Sequence, residues 1–182
     1  MDERARPMHY VATLGEARNL IKERDRFWVS VCGCRQAAGK CGQSRMDVCL
    51  YFTPDFPPTG RDWHEIGRGG VEEILKEAWE KRLVARPFRD EQTLTHTAGI
   101  CFCCRDCCGY FLNPQELCDK GAFIEATDMA RCTDCEECAE ACPFGVREMR
   151  EDKLVLDRDR CYGCGLCVSS CAEQCIKMVP RI

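Results

Sequence analysis

Apolar and polar positions alternate along the chain in a way that predicts several elements. Leu14, Ala17, Leu20 and Ile21 recur at helical spacing, with Arg24 following on the same stripe. They come directly after Thr13 and Glu16, whose spacing lets a hydroxyl and a carboxylate satisfy the first free amides of a helix. Residues 27–31 form a short apolar run, a strand that would carry the first cysteines, and residues 49–53 form a second. The clearest helical pattern runs from Gly70 to Ala85. Val71, Ile74, Leu75, Ala78, Trp79 and Leu83 line one face and Glu72, Glu73, Lys76, Glu77, Glu80 and Lys81 the other, with Arg86-Pro87 as its stop. Residues 1–11 read as an extended arm, and Pro54 to Gly70 as a surface loop rich in proline and glycine. Asn113-Pro114 is expected to start a short helix that contains Cys118.

From Phe123 the texture changes. Residues 123–126 and 154–156 are strand-like, and each leads through an aspartate into a run of cysteines. The two runs are offset by 29 residues, which makes the segment an internal duplication. Residues 148–153 are polar and charged and fit a hairpin turn, and residues 176–179 form a last strand expected to pair near the first. The expected fold is α+β. A small mixed α/β cysteine-rich domain over residues 1–122 precedes a compact domain over residues 123–182.

Composition sharpens this picture through cysteine. The chain has 182 residues, of which 19 are cysteine, a density that implies either disulfides or metal ligation. Residues 1–7 carry Asp2, Glu3, Arg4 and Arg6 with no apolar run behind them, unlike a secretory signal, so metal ligation in a reducing cytoplasm is the expectation. No apolar stretch approaches the roughly 20 residues needed to span a bilayer. Residues 123–182 hold 12 acidic and 8 basic side chains, which argues against a nucleic-acid surface. Such a balance suits a module that docks on basic partners, and a solvated face explains it as well.

The two carboxyl-terminal runs share the spacing Cys-x2-Cys-x2-Cys-x3-Cys, namely Cys132, Cys135, Cys138, Cys142 and Cys161, Cys164, Cys167, Cys171. In this spacing three thiolates come from one tight loop and the fourth cysteine of each run serves the other cluster. The expected ligand sets for two 4Fe-4S clusters are therefore Cys132, Cys135, Cys138 and Cys171, and Cys161, Cys164, Cys167 and Cys142. Gly163 and Gly165 flank Cys164, where the chain has to bend close to metal. Zinc sites more often use two cysteine pairs than triplets with a distant fourth.

On these residues the segment resembles the bacterial-type dicluster ferredoxins. The resemblance implies a βαββαβ domain with pseudo-twofold symmetry, low reduction potentials and single-electron transfer. Two positions depart from the family pattern. Ala172 stands where a proline usually follows the last ligand, and Cys175 takes the place of a small apolar residue and is read as a buried hydrophobe.

Nine further cysteines fall in two groups: Cys32, Cys34, Cys41 and Cys49, then Cys101, Cys103, Cys104, Cys107 and Cys108. Their order, with the helix of residues 70–85 between them, resembles an anaerobe iron–sulfur protein family in which such a region precedes a dicluster ferredoxin domain. That resemblance implies an additional iron–sulfur centre that feeds or drains the ferredoxin pair, while the two groups themselves would suit one or two further clusters. Iron–sulfur clusters, structural zinc and free redox-active thiols all remain open for these nine. Arg35 and Arg105 are candidates to donate to sulfur, and His96 is a candidate ligand beside the second group. No phosphate loop, dinucleotide fingerprint or Ser/His/Asp set stands out. The expected function is electron transfer to or from a redox partner of reductase, dehydrogenase or hydrogenase type. The alternative is a small reductase whose amino-terminal site is catalytic and is supplied by the ferredoxin clusters.

Overall fold

The structure, a computed structural model, describes residues 6–55, 62–113 and 116–182. Its first half is a seven-stranded sheet with helices on one face. Strands β1 (His9–Tyr10), β2 (Phe27–Ser30), β3 (Cys49–Tyr51), β4 (His64–Ile66), β5 (Val84–Arg89), β6 (Thr97–Cys103) and β7 (Cys118–Asp119) assemble in the order β4-β2-β3-β6-β5-β1-β7. All neighbours are antiparallel except β1 and β7. Helix α1 (Leu14–Lys22) begins at Thr13 as expected. The Glu16 amide donates to the Thr13 hydroxyl at 3.1 Å, and the Thr13 amide donates to the Glu16 carboxylate at 2.8 Å.

The period-two alternation of strands sorts side chains onto two faces. Phe27, Val29, Leu50, Ile100 and Phe102 face the helices and pack with Ala17, Ile21, Val71, Ile74, Leu75 and Ala78. Trp28, Cys49, Tyr51, Phe88 and Ala98 occupy a second buried cluster, with Cys32 and Cys101 packed against it. Strand β6 is the pivot of this arrangement. Its alternation sends Ile100 and Phe102 to the helix side and Cys101 and Cys103 to the other.

Several sequence expectations need correction. The long helix is α3 (Arg68–Glu80), not residues 70–85. It stops at Lys81, and Arg82 then takes a left-handed φ of 51°. Arg86 and Pro87 do not terminate a helix but lie inside the fully buried strand β5, where burial of Val84, Ala85 and Phe88 outweighs the usual exclusion of proline. Trp79, placed by periodicity on the core stripe, is 58% exposed. The stretch from Pro54 to Gly70 contains β4 and the start of α3 rather than loop alone, with residues 56–61 outside the described residues. The short helix expected at Asn113-Pro114 is instead α4 (Gly109–Leu112), which ends at Asn113. Cys118 belongs to β7, paired with His9. Pro114 and residues 1–5 lie outside the described residues.

Beyond β7 the order is β8 (Phe123–Thr127), α5 (Glu137–Glu140), β9 (Arg147–Arg150), β10 (Lys153–Leu156), α6 (Leu166–Ser169) and β11 (Ile176–Pro180). This is the βαββαβ order expected of the segment. The first and last strands pair antiparallel, from Phe123 opposite Pro180 to Thr127 opposite Ile176, and β9 and β10 form a hairpin through Glu151 and Asp152. The duplication persists in the backbone. Two and four residues after the first cysteine of each run, Asp134 and Glu136 in one loop and Gly163 and Gly165 in the other, φ is positive. Among the described residues no helix is long and apolar enough to cross a membrane.

Candidate metal centres

None of the nineteen cysteines is in a disulfide. In the carboxyl segment, Cys132, Cys135, Cys138 and Cys171 line one cavity, together with Thr127, Leu154 and Ile176. The expected first quartet is thus brought to a single place, although Cys171 is supplied from the far end of the duplication. Cys175, read from sequence as a buried hydrophobe, lines the same cavity, with its sulfur 3.4 Å from that of Cys171. The cysteines of the second quartet are buried or half-buried. Cys142 and Cys161 share a cluster with Val146, Cys167 packs with Cys138 and Leu154, and Cys164 lies against the amino-terminal half. Burial pushes the Cys164 thiol up to about 12 and Cys167 to about 11, so deprotonated sulfurs there call for compensating positive charge.

The loops are shaped for a bulky anionic group. A Cβ on Gly163 would meet the Phe123 carbonyl oxygen at 2.2 Å, so only glycine lets the second loop close down at this point. The side chain of Arg147 is 1% exposed. Its guanidinium donates to the Cys138 sulfur at 3.4 Å, to the Glu125 carboxylate at 2.6 Å and to the Thr127 hydroxyl at 2.8 Å. Burial pushes the Cys138 thiol up and Arg147 opposes it. The donor set, the glycine cradle and the buried guanidinium fit a 4Fe-4S cluster at each quartet.

In the first half, six of the nine cysteines close into a ring. Cys32 neighbours Cys34, Cys34 neighbours Cys108, Cys108 neighbours Cys103 and Cys103 neighbours Cys101. Cys101 meets Cys49 at 3.8 Å, and Cys49 contacts Cys32. Strand β6 and the loop after it supply Cys101, Cys103 and Cys108. Strand β3 supplies Cys49, and the start of α2 (Gly33–Ala38) supplies Cys32 and Cys34. The proton distribution around the ring is uneven. The hydrogen bond with Cys108, followed by the one with Cys32, holds Cys34 well below the usual thiol range, and the Gly109 amide donates to it at 3.5 Å. Cys108 is pushed up, first by its bond to Cys103 and then by its bond to Cys34.

Arg86 reaches this ring from β5, 2% exposed. It donates to Cys108 at 3.4 Å, to Cys103 at 3.8 Å and to the Glu116 carboxylate at 2.9 Å. Its Nε is buried without a hydrogen-bond partner among the described residues. Cys118 is a further partner of the same guanidinium. His9 Nε2 lies 3.9 Å from the Cys101 sulfur, and burial together with Arg86 lowers its pKa to about 4. Arg86 and His9 were not singled out from sequence. Arg86 was hidden in an apparent helix stop and His9 in an apparent arm, and only strand pairing brings them to sulfur. His96, the histidine that sequence did suggest, is exposed, and its amide caps Asp90. Arg105 is exposed and donates to the Glu140 carbonyl at 3.2 Å.

Cys41, Cys104 and Cys107 stand apart from the ring. Their sulfurs all lie within 4.8 Å of one another, the one such group of three or more metal-ligating side chains among the described residues. Arg35, also noted from sequence, is 1% exposed and donates to the Arg45 carbonyl at 2.6 Å and the Phe102 carbonyl at 3.1 Å, with Cys104 and Cys107 as neighbours.

The ring and the second quartet share an apolar interface. Val11, Val84, Cys103 and Cys108 form a buried cluster against which Tyr110, Phe111, Phe144, Tyr162, Cys164 and Leu166 pack. The Arg86 guanidinium sits 4.1 Å from the Tyr110 ring centre, Tyr110 is 6.0 Å from Tyr162, and Tyr162 stacks on Phe144 at 4.7 Å. Tyr162 directly follows Cys161 in the second loop.

Residues 131–175 match the family of 4Fe-4S dicluster domains. Among curated relatives, a subunit of an ion-translocating oxidoreductase complex from Methanosarcina acetivorans is 32% identical over 60 residues, covering 33% of this chain and 23% of the relative. Pyruvate synthase subunit PorD from Methanothermobacter marburgensis is 37% identical over 56 residues, covering 31% and 65%. An uncharacterized ferredoxin from Methanocaldococcus jannaschii is 39% identical over 49 residues, covering 26% of this chain and 79% of its own length. The chain therefore spans less than two thirds of the first two relatives.

Proposed function

Through its carboxyl third the chain belongs to the 4Fe-4S dicluster ferredoxin family, and from that premise we propose that it is an electron carrier. Cys132, Cys135, Cys138 and Cys171 hold one 4Fe-4S cluster, and Cys161, Cys164, Cys167 and Cys142 hold the other. When bound, these groups supply one-electron transfer at low potential. The protein's own residues set the conditions. Arg147 donates to a ligand sulfur and so favours the more negative, reduced state at that site. Gly163 admits the loop, and burial of Cys138, Cys142, Cys161 and Cys167 restricts water. The observation that carries the reading is the convergence of Cys132, Cys135, Cys138 and Cys171 on one cavity.

The reading extends to the first half, taken as a second unit over residues 1–122. Cys32, Cys34, Cys49, Cys101, Cys103 and Cys108 form a further iron–sulfur centre that exchanges electrons with the second quartet. Two observations support this. The unpartnered Nε of Arg86 is a buried donor with no acceptor among the described residues, which suits an anionic group at the ring. The contacts from Tyr110 to Tyr162 leave the ring and Cys164 in one apolar cluster. The redox partner is taken to be an oxidoreductase complex, because two relatives bear the names of subunits of such enzymes. The unbridged cysteines suit a reducing compartment such as the cytoplasm.

Anaerobic purification followed by iron and sulfide analysis tests both levels. About eight of each per chain is expected from the two quartets, and about twelve if the ring is also filled. Dithionite reduction should give the magnetically coupled resonance signals of two adjacent clusters. A chain with no acid-labile sulfide would overturn the electron-carrier reading.

A further inference from the structure

The sulfurs of Cys41, Cys104 and Cys107 are set apart from the other amino-terminal thiols by the sheet itself. Cys104 and Cys107 are buried in the helix-side core, with Cys41 packed against it, whereas Cys103 and Cys108 belong to a separate cluster with Cys34 and Cys101 of the ring. Adjacent cysteines at 103 and 104, and again at 107 and 108, thus face different centres.

The spacing within this group is that of a single ion. Cys104 is 3.5 Å from Cys41 and 3.6 Å from Cys107. Thiolates bound to one tetrahedral ion at about 2.3 Å sit roughly 3.8 Å apart. A cubane seats each thiolate on a different iron and spreads the sulfurs more widely, and in neither ferredoxin quartet do three sulfurs lie within 4.8 Å of one another. Charge agrees with distance. Three thiolates and one divalent cation leave a single negative charge, and the buried Arg35 guanidinium beside Cys104 and Cys107 balances it. No fourth Cys, His, Asp or Glu donor among the described residues joins the group, and a polar pocket lined by Gln43, Arg82, Cys104 and Arg105 opens beside it.

We infer that Cys41, Cys104 and Cys107 bind one zinc-class divalent ion, separate from the iron–sulfur centres, with a light exchangeable ligand in the fourth position. This departs from assigning all nine amino-terminal cysteines to iron–sulfur chemistry.

The full chain, produced anaerobically with both iron and zinc supplied, provides the test. The expected result is about one zinc per chain beside the iron and sulfide, with zinc-edge absorption showing three sulfur neighbours at about 2.3 Å and one lighter atom. Cys41→Ser and Cys107→Ser should lose most of the zinc and keep wild-type iron and sulfide. If these variants do not fold, cobalt exchange into the wild-type chain reads the same site, and intense tetrahedral cobalt–thiolate absorption is the expected outcome. The inference is overturned by a zinc-free chain in which Cys41→Ser lowers iron and sulfide together. It is equally overturned by four sulfurs at the zinc edge, or by a Cys41–Cys104 disulfide in the freshly isolated anaerobic protein. Failure of the electron-carrier reading is a different result: missing sulfide with the zinc still present.

Discussion

The sulfurs of Cys171 and Cys175 lie 3.4 Å apart on the wall of one cavity. Both line the cavity that Cys132, Cys135 and Cys138 also line. The loop that joins them lacks the usual proline, with Ala172 in its place. Cys175→Ser is expected to keep both clusters. Cys171→Ser should retain a cluster through Cys175, with an altered resonance spectrum, and the double variant should lose about four iron per chain. Equal iron loss in Cys171→Ser and in the double variant would show that Cys175 cannot substitute.

Arg147 and Glu125 form an ion pair at 2.6 Å in which both side chains are 1% exposed, and Arg158 approaches the other carboxylate oxygen at 3.1 Å. Removing one partner leaves an uncompensated buried charge. Arg147→Ala should therefore cost about 3–5 kcal/mol in anaerobic denaturant unfolding. Its reduction potential at the first quartet should also fall, because Cys138 loses a donor. An unchanged potential would mean that Arg147 serves stability alone.

The left-handed positions of the two loops should respond in opposite senses to substitution. Glu136 has φ of 70°, a conformation that costs a side-chain-bearing residue about 1–2 kcal/mol. Glu136→Gly removes this cost and is expected to raise the melting temperature of the cluster-loaded protein. Gly163→Ala adds both strain and a collision with the Phe123 carbonyl. It should lose iron from the second quartet, while Gly165→Ala, whose nearest neighbour is 3.4 Å away, does so less.

Asp90 provides a pH-dependent contact at the β5–β6 turn. The Thr93 amide, then the His96 amide, hold its carboxyl well below the usual carboxylate range. Because the folded value is depressed, the contribution to stability is present above the ordinary carboxylate pKa. It is lost as pH falls from there toward the folded value. Wild type should therefore exceed Asp90→Asn in melting temperature at neutral pH, and the gap should narrow in acid. The carboxyl carbon shift of Asp90, followed by NMR, should stay on its ionised plateau down to about pH 4. A midpoint at the ordinary carboxylate value would refute the contact.

The carboxyl third was legible because its chemistry is local. Triplets such as Cys161, Cys164 and Cys167 lie within one loop, and their spacing is itself the ligand geometry. The first half was legible in pieces, α1 through its periodicity and β2 and β3 through their short apolar runs. Trp79 fits the helical stripe of α3 by number and yet is largely exposed, on the rim of a cavity it shares with Leu14, Leu83, Leu166 and Met178. Arg86 and Pro87 look like a stop by composition, but β5 is paired along its length with β6, and that long-range pairing decides its state. The division of Cys103 from Cys104 between two buried clusters could not be read in one dimension, since it follows from where β6 ends relative to the sheet faces.

The closed ring of Cys32, Cys34, Cys108, Cys103, Cys101 and Cys49 has a combinatorial consequence. Every thiol in it has two neighbours, so full oxidation can pair them in two ways. Cys32 joins either Cys34 or Cys49, and the remaining four follow without further choice. Oxidation confined to neighbouring thiols would therefore have two products of one mass, told apart by whether Cys32 is linked to Cys34 or to Cys49.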